Sequence, residues 1–300
     1  MRDAFFKLHL SILLAGCTGL FGKLIQLNET EIVAFRMLLA SIIMLCIFRF
    51  PRKVTKRQFA RAALAGGVLA LHWMLFYSSI KVSNVCIGVL CFSLTGVWTA
   101  IIEPLYRRRR PQLSELALSL LTVAGIASIY LFAPDAQDAV GGVDVKKGVL
   151  IGAISSLVCS IYVIMSKEMS QGMRSRDFLQ CSMSGGLILA LCFIPVYLWA
   201  FGLPVTEALH TPQHMDWVWM LCHASFCTVG MYLLQLEALR KLSAFTVNLS
   251  YNLEPVYSII FAIAFMGEAQ QLTGSFFVGL ALIILSVVLQ SVQAIKKQKH

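Results

Sequence analysis

The sequence predicts an all-α membrane protein: ten transmembrane helices arranged as two inverted five-helix repeats, with both termini cytoplasmic. Three observations predict it. Hydrophobic residues fill 58% of the 300 positions and charged residues only 13%, with a mean hydropathy of +0.77, a composition that cannot cover a water-facing surface. Ten runs are apolar over the length of about 20 residues that a helix needs to cross a ~30 Å hydrocarbon core. Finally, 20 of the 25 Lys and Arg residues fall on one side of the membrane once the spans are threaded. The net charge of +10 is therefore topology information and not a nucleic-acid footprint, which needs a basic face on a soluble fold.

The first span covers 4–26. Its start, "MRDAFFKLHLSILLAGC", has a basic opening and a Leu14-Ala15-Gly16-Cys17 box like that of a lipoprotein, yet "TGLFGKLIQL" continues the apolar run where a polar tether is expected. The other spans are expected near 31–50, 60–80, 84–106, 113–133, 148–166, 178–201, 217–239, 244–266 and 272–294. No alternating ten-residue pattern suggests a barrel. With the N-terminus inside, the outer loops "FAPDAQDAVGGVDVKKG" and "FGLPVTEALHTPQHMDW" are acidic or nearly free of basic residues. Nine cysteines lie singly, without a C-x-x-C pair, and read as small packing residues, so neither a metal nor a cofactor is expected.

A shift of 160 residues lays Lys81-Val82-Ser83 on Lys241-Leu242-Ser243 and spans 3 to 5 on spans 8 to 10. Five spans per half is odd, so the second half enters the membrane upside down, as in carriers that alternate between two faces. The expected division is a first repeat at 1–133, an external linker at 134–147, a second repeat at 148–295 and a cytoplasmic tail at 296–300.

Two Glu-Pro pairs stand in apolar surroundings, Glu103-Pro104 and Glu254-Pro255. The shift matches Glu254 with Leu94 and Glu103 with Ile263, so the two are not equivalent. Glu103 is near the cytoplasmic end, four residues before Arg107, in the favourable order for a helical ion pair. Glu254 lies close to the bilayer middle, where a carboxylate costs about 2.5–3.5 kcal/mol and is usually functional. Pro255 cannot donate to the Tyr251 carbonyl and serves as a hinge that opens the turn. Asn248 and Asn252 share its face, with Tyr251 and Glu254 beside them; a merely structural anchor is the plainer reading. In span 3, His72, Phe76 and Ser79 recur at helical spacing, with Trp73 and Tyr77 adjoining. That is pocket chemistry for an organic cation, or ordinary packing. Arg36 in span 2 is positioned to snorkel, to bind an anionic group or to neutralise Glu254. Trp98, one turn past Leu94, is a further candidate, and Tyr162, Tyr232 and Gln235 are weaker ones. Lys23 reads as snorkelling, and Glu237 as the partner of Lys241. Small residues at Gly148, Gly152, Ser156 and Ser160, and in "CSMSGG" at 181–186, let backbones approach closely.

The pattern "NLEPVYSIIFAIAFMGE", Arg36 early in span 2 and the duplicated ten-span plan resemble the EamA family of the drug/metabolite transporter superfamily. The resemblance implies a bacterial inner-membrane, multi-pass carrier, often an exporter of amino acids or related metabolites. Its central cavity would be lined by spans 1, 3, 4, 6, 8 and 9. The first half departs from the pattern: Arg107-Arg108 stands where the duplicated Gly-Glu would fall. The expected partners are a small-molecule substrate, membrane lipid and protons, with Glu254 exchanging a proton for substrate. A channel-like facilitator or a lipid scramblase is the alternative. An intramembrane enzyme is a weaker one, because no H-E-x-x-H pair, phosphate-cradling loop or nucleophile turn is present.

The charge pattern makes a direct prediction. A cysteine placed at position 138 is labelled only from outside the cell by a membrane-impermeant maleimide. Labelling only from inside removes the inverted-repeat topology.

Overall fold

The computed structural model describes residues 2–51, 53–133, 142–202, 211–251 and 253–298. Much of the expected external linker (134–141), the second outer loop (203–210), Asn252 and the last two residues of the expected tail lie outside the described residues. Every regular element among the described residues is helical: α1 (Arg2–Gly16), α2 (Thr18–Leu24), α3 (Glu29–Phe48), α4 (Lys56–Val82), α5 (Val85–Cys91), α6 (Leu94–Tyr106), α7 (Leu113–Leu131), α8 (Val145–Met169), α9 (Ser175–Phe201), α10 (His214–Ala224), α11 (Met231–Leu239), α12 (Ala244–Tyr251), α13 (Glu254–Met266) and α14 (Gly274–Gln298).

Among the described residues, seven stretches are long and apolar enough to cross a membrane: Arg2–Leu24, Glu29–Phe48, Lys56–Val82, Val85–Tyr106, Val145–Met169, Ser175–Phe201 and His214–Leu239. The three remaining expected spans contain shorter apolar helices, Leu116–Leu131, Glu254–Met266 and Gly274–Ser286. The outer surface is studded with exposed Phe, Leu, Ile and Trp side chains, Trp199, Phe265 and Leu113 among the most exposed. Such a surface is tolerable in lipid and not in water.

Helix starts are written locally. Asn28 caps α3 and Thr55 caps α4 in reciprocal capping boxes with Glu31 and Gln58. Asn84 caps α5 and Asp144 caps α8 through their side chains. Asp144 also ties the two halves together, its backbone N–H donating to the Val82 carbonyl at 3.0 Å.

Among the described residues, four spans are interrupted. The first breaks at Cys17 between α1 and α2. Span 4 breaks at Phe92-Ser93, where the chain tightens into i→i+3 bonds from Phe92 N–H to Val89 and from Ser93 N–H to Leu90. Span 9 breaks before Glu254. Pro255 there does not kink a continuous helix: it occupies the first turn of α13, where a missing N–H costs nothing. Shifted by 160 residues, the start of α6 at Leu94 falls on the start of α13 at Glu254. The two repeats therefore break at the same place. In span 8 a π-helical turn, Ser225–Gly230, joins α10 to α11.

α4 forms the middle of the molecule, packed along both α8 and α9. The small-residue stripe of α8 faces α4, α5 and α6: a Cβ at Gly148 would meet Ser83, and one at Gly152 would meet Cys91. Ser156 takes the Trp98 indole N–H at 3.1 Å, and Ser160 lies 2.8 Å from Thr99. The "CSMSGG" segment of α9 meets α4 still more closely. A Cβ added at Gly66 would stand 1.9 Å from the Ser182 carbonyl oxygen, and one at Gly186 would stand 2.6 Å from the Gly66 carbonyl carbon.

That approach has a measurable consequence. Gly66→Ala is expected to cost about 1–3 kcal/mol through overpacking. The readout is a lowered melting temperature of the detergent-purified protein, with Ala65→Gly as a control lacking the backbone clash. An unchanged melting temperature for Gly66→Ala means the α4–α9 contact is looser than the structure gives.

Candidate functional site

A small cavity lies where the broken helices meet. Its walls come from the α1–α2 break (Ala15, Thr18), from α3 (Arg36), α4 (His72, Trp73, Phe76), the α5–α6 break (Phe92), α8 (Cys159, Tyr162, Val163), α11 (Met231, Tyr232, Gln235) and the α12–α13 break (Tyr251, Glu254). Both repeats thus bring an interrupted helix to one point, the arrangement expected of a carrier's central site. The resemblance implied spans 1, 3, 4, 6, 8 and 9, and the structure adds span 2 through Arg36. The cavity volume is ≈ 30 Å³, room for water rather than a metabolite.

Arg36 does not snorkel. Its side chain is buried, the residue being 1% exposed, and each guanidinium nitrogen donates one of its N–H groups to a neutral acceptor, three of the five in all. Nε donates to Thr228 Oγ1 at 2.7 Å, Nη1 to the Tyr77 hydroxyl at 2.8 Å and Nη2 to the Cys227 carbonyl at 2.8 Å. The Trp73 ring lies 3.6 Å from Cζ, a cation–π contact. The π-helical turn of span 8 supplies two of these acceptors, Thr228 and Cys227. The Tyr77 hydroxyl also lies 2.7 Å from His223 Nε2. It accepts from Arg36, and its contact with His223 extends the network one residue further. The Trp73 indole N–H in turn donates to the Tyr232 hydroxyl at 3.1 Å.

Glu254 stands opposite in character. Five other buried carboxylates are satisfied. Glu29 accepts from the Tyr197 hydroxyl, and Glu31 accepts from the Asn28 N–H. Asp216 accepts from the Gln26 and Gln213 N–H groups, and Glu103 accepts from Arg107. Glu268 accepts from Lys23 and from the Val85 and Cys86 N–H groups at the start of α5. Glu254 is 4% exposed and makes no hydrogen bond and no ion pair among the described residues. Arg36, on the same cavity, is not within ion-pair distance of it. The expected neutralisation of Glu254 by Arg36 is therefore not made, because Thr228, Tyr77 and Cys227 already hold the guanidinium.

Of the residues singled out from sequence, Glu254, His72, Trp73, Phe76, Arg36 and Tyr251 line the one cavity. Pro255 stands at its edge as the first-turn residue of α13. His72 Nδ1 lies 3.0 Å from the Ser155 carbonyl oxygen. Donating that bond leaves Nε2 of the neutral ring as an acceptor. The Tyr251 hydroxyl donates to Ser11 Oγ at 3.0 Å. Trp98 is not brought in: it faces α8 through Ser156. Asn252 lies outside the described residues, and so does the side chain of Asn248.

Three smaller expectations also meet the structure. Glu103 and Arg107 pair at 3.3 Å as the spacing required. Lys23 does not extend to water alone but pairs with Glu268 at 2.8 Å, because the turn after α13 folds back over α2 and α5. Glu237 pairs with Lys7 at 2.6 Å instead of Lys241, because α1 packs against α11. Sequence reasoning passed over His223, Thr228 and Phe92. His223 carried the same signal as His72, a histidine within a span; the other two carried none.

Comparison with known proteins gives one consistent result. The sequence profile of the EamA-like transporter family matches residues 4–131 and 146–292, one match in each half. An uncharacterized transporter of Synechocystis sp. is 24% identical over 75% of this chain, and the match spans 63% of that relative's own length. Uncharacterized transporters of Bacillus subtilis and Helicobacter pylori are each 21% identical, over 88% and 96% of this chain and 82% and 95% of theirs. A crystal structure of another chain superposes over 99% of both chains with a TM-score of 0.67 at 16% identity, a likeness of fold alone.

The contrast between the two Glu-Pro pairs is testable. Glu254→Gln is expected to abolish transport without loss of expression, whereas Glu103→Gln keeps most of it. Equal defects in the two would mean that the paired, peripheral Glu103 shares the role of the unpaired Glu254.

Proposed function

The chain belongs to the EamA-like transporter family, and from that premise we propose that it is a secondary transporter of a bacterial inner membrane. It exports a small amphipathic metabolite, such as an amino acid or a related compound, by alternating access coupled to protons. One observation carries this reading: a buried guanidinium and a buried carboxylate face the same aromatic-walled cavity without pairing with each other. A substrate carrying both a carboxylate and an ammonium can complete both groups at once. Arg36 offers the planar fork that carboxylates fit, and Glu254 lacks a donor that an ammonium supplies.

The proposed topology is ten spans in two inverted repeats, 1–133 and 148–295, joined by an external linker at 134–147. The termini and the tail at 296–300 lie on the cytoplasmic side with the basic loops. Substrate contact is assigned to Glu254, His72, Trp73, Phe76, Arg36, Tyr251 and Asn252, the hinge to Pro255. Trp98 acts one layer away, through α8. The cavity is too small here for a metabolite, so loading requires the walls to separate. The breaks at Phe92-Ser93 and before Glu254 are where the backbone can bend. Proton coupling follows from the same carboxylate. A carboxylate without a donor can be completed either by a proton or by an ammonium group. Substrate and proton thus compete for one group, which is the condition for exchange.

Metabolites enriched in the medium of cells overproducing the protein, relative to empty-vector cells, identify the solute to load. In proteoliposomes, an imposed pH gradient is then expected to change the rate of net transport of that solute, and Glu254→Gln to remove the dependence. A mutant that responds as the parent does would move coupling away from Glu254, with His72 next to test.

A further inference from the structure

A second cavity lies at the face that carries the basic loops. It is larger than the central one, ≈ 490 Å³, and no residue lines both. Its walls are the end of α6 and the loop after it, the end of α8, and the turn between α11 and α12. They contribute six cations, Arg107, Arg109, Arg110, Lys167, Arg240 and Lys241, against one carboxylate, Glu103. Glu168 and Asp3 reach Arg107 and Lys241 from the rim, which still leaves an excess of three positive charges. A positive-inside bias explains basic residues in loops. It does not require that loops from both repeats converge on one concave surface.

The groups differ in how far they are committed. Arg107 is spent on Glu103 and Glu168. Lys167 donates to the carbonyls of Leu239 and Leu242, and Arg240 to Ser175 Oγ and the Met173 carbonyl. These bonds fix the two cations in place without neutralising them. Arg109 and Arg110 make no side-chain hydrogen bond or ion pair among the described residues. Their placement is built into the backbone: Arg108 takes a left-handed conformation with φ 54°, which non-glycine residues seldom adopt. The Arg109 N–H then folds back onto the Pro104 carbonyl at 2.8 Å. The exposed Leu105, Tyr106 and Leu113 are chain neighbours of lining residues, which sets an apolar rim beside the cationic floor.

We propose that this recess is a binding site for a phosphate-bearing anion. A concave surface of one sign concentrates counter-ions, and guanidinium groups match phosphate oxygens with paired N–H donors. Two sources offer that group at this face: the headgroup of an anionic phospholipid, whose chains would lie along the apolar rim, and a soluble phosphate or phosphate ester.

The test uses the full chain purified in detergent and titrated calorimetrically at low ionic strength. The probes are inorganic phosphate, dihexanoyl phosphatidylglycerol and the net-neutral dihexanoyl phosphatidylcholine. Binding of either anionic probe is expected, stronger than that of phosphatidylcholine and weakened by added salt. The Arg109→Gln/Arg110→Gln variant is expected to bind at least about tenfold more weakly, the loss of one charge-assisted bond or more. Its unliganded melting temperature should stay that of the parent, since neither side chain holds the fold. Binding of phosphatidylglycerol alone identifies the lipid headgroup as the source, and binding of both anions identifies the phosphate itself. The proposal fails if neither anion binds, if phosphatidylcholine binds as tightly as phosphatidylglycerol, or if the double variant binds as the parent does.

Discussion

Lipid offers no hydrogen bonds, so every interruption of a spanning helix has to be closed by the protein itself. Most of this structure's polar chemistry is an answer to that constraint. At the first break, Ser258 of α13 donates to the Gly16 carbonyl at 2.8 Å. At the second, 3₁₀-type bonds tighten the turn through Phe92 and Ser93. In span 8 the π-helical turn leaves the Cys227 carbonyl to Arg36 and the His223 carbonyl to Thr228. Before Glu254 the proline removes a donor where a helix start needs none. The breaks that make a cavity possible are thus the places where polar side chains had to be recruited, and the site grew from the repairs.

The same constraint sorts the charges. A buried carboxylate is tolerable when donors surround it, and Glu268 shows how. It is 0% exposed and holds Lys23 and two backbone amides at the start of α5, where the helix dipole also favours a negative group. Arg36 shows the complementary solution, a cation dissolved in hydroxyls, a carbonyl and an indole face. Glu254 is the exception in a molecule that otherwise satisfies its buried acids. A buried polar group left without a partner calls for a physical account, and the hydroxyls of Thr18 and Tyr162, on the same cavity as Glu254, are also without one among the described residues.

The plan of the fold was legible because it rests on coarse quantities. Apolar run length and a 160-residue register depend on solvent and symmetry, not on detailed packing. The register proved sharp enough to align the two helix breaks to the residue. Pro255 announced one of them. Phe92-Ser93 announced nothing, since a 3₁₀ tightening needs no special residue type, and the π-helical turn at Ser225–Gly230 is equally silent. Partner choice was less legible than position. Glu103 found Arg107 because both lie on one helix at a fixed spacing. Lys23, Glu237 and Arg36 found partners 245, 230 and 192 residues away in the chain, which only helix packing decides. For the candidate site, the reading recovered the residues that are chemically unusual in lipid, and it missed those, such as Thr228 and Phe92, whose importance is where a break puts them.

Inverted repeats would make the two ends of a carrier equivalent if their sequences were equal, and here they are not. The 160-residue register lays Glu268 on Arg108. At one face Glu268 seals the turn after α13 against α5 and Lys23. At the other face, the corresponding position carries a cation with a left-handed backbone, and the chain opens over a recess instead of closing it. A two-state machine whose ends closed with equal strength would rest equally in both states. Unequal closing contacts shift the resting population toward the better-sealed arrangement. The ion pair at Glu268 and the cationic recess are such unequal contacts, one at each end of the described structure. Arg36 and Glu254 lie between them, facing the small cavity on which the two broken helices converge.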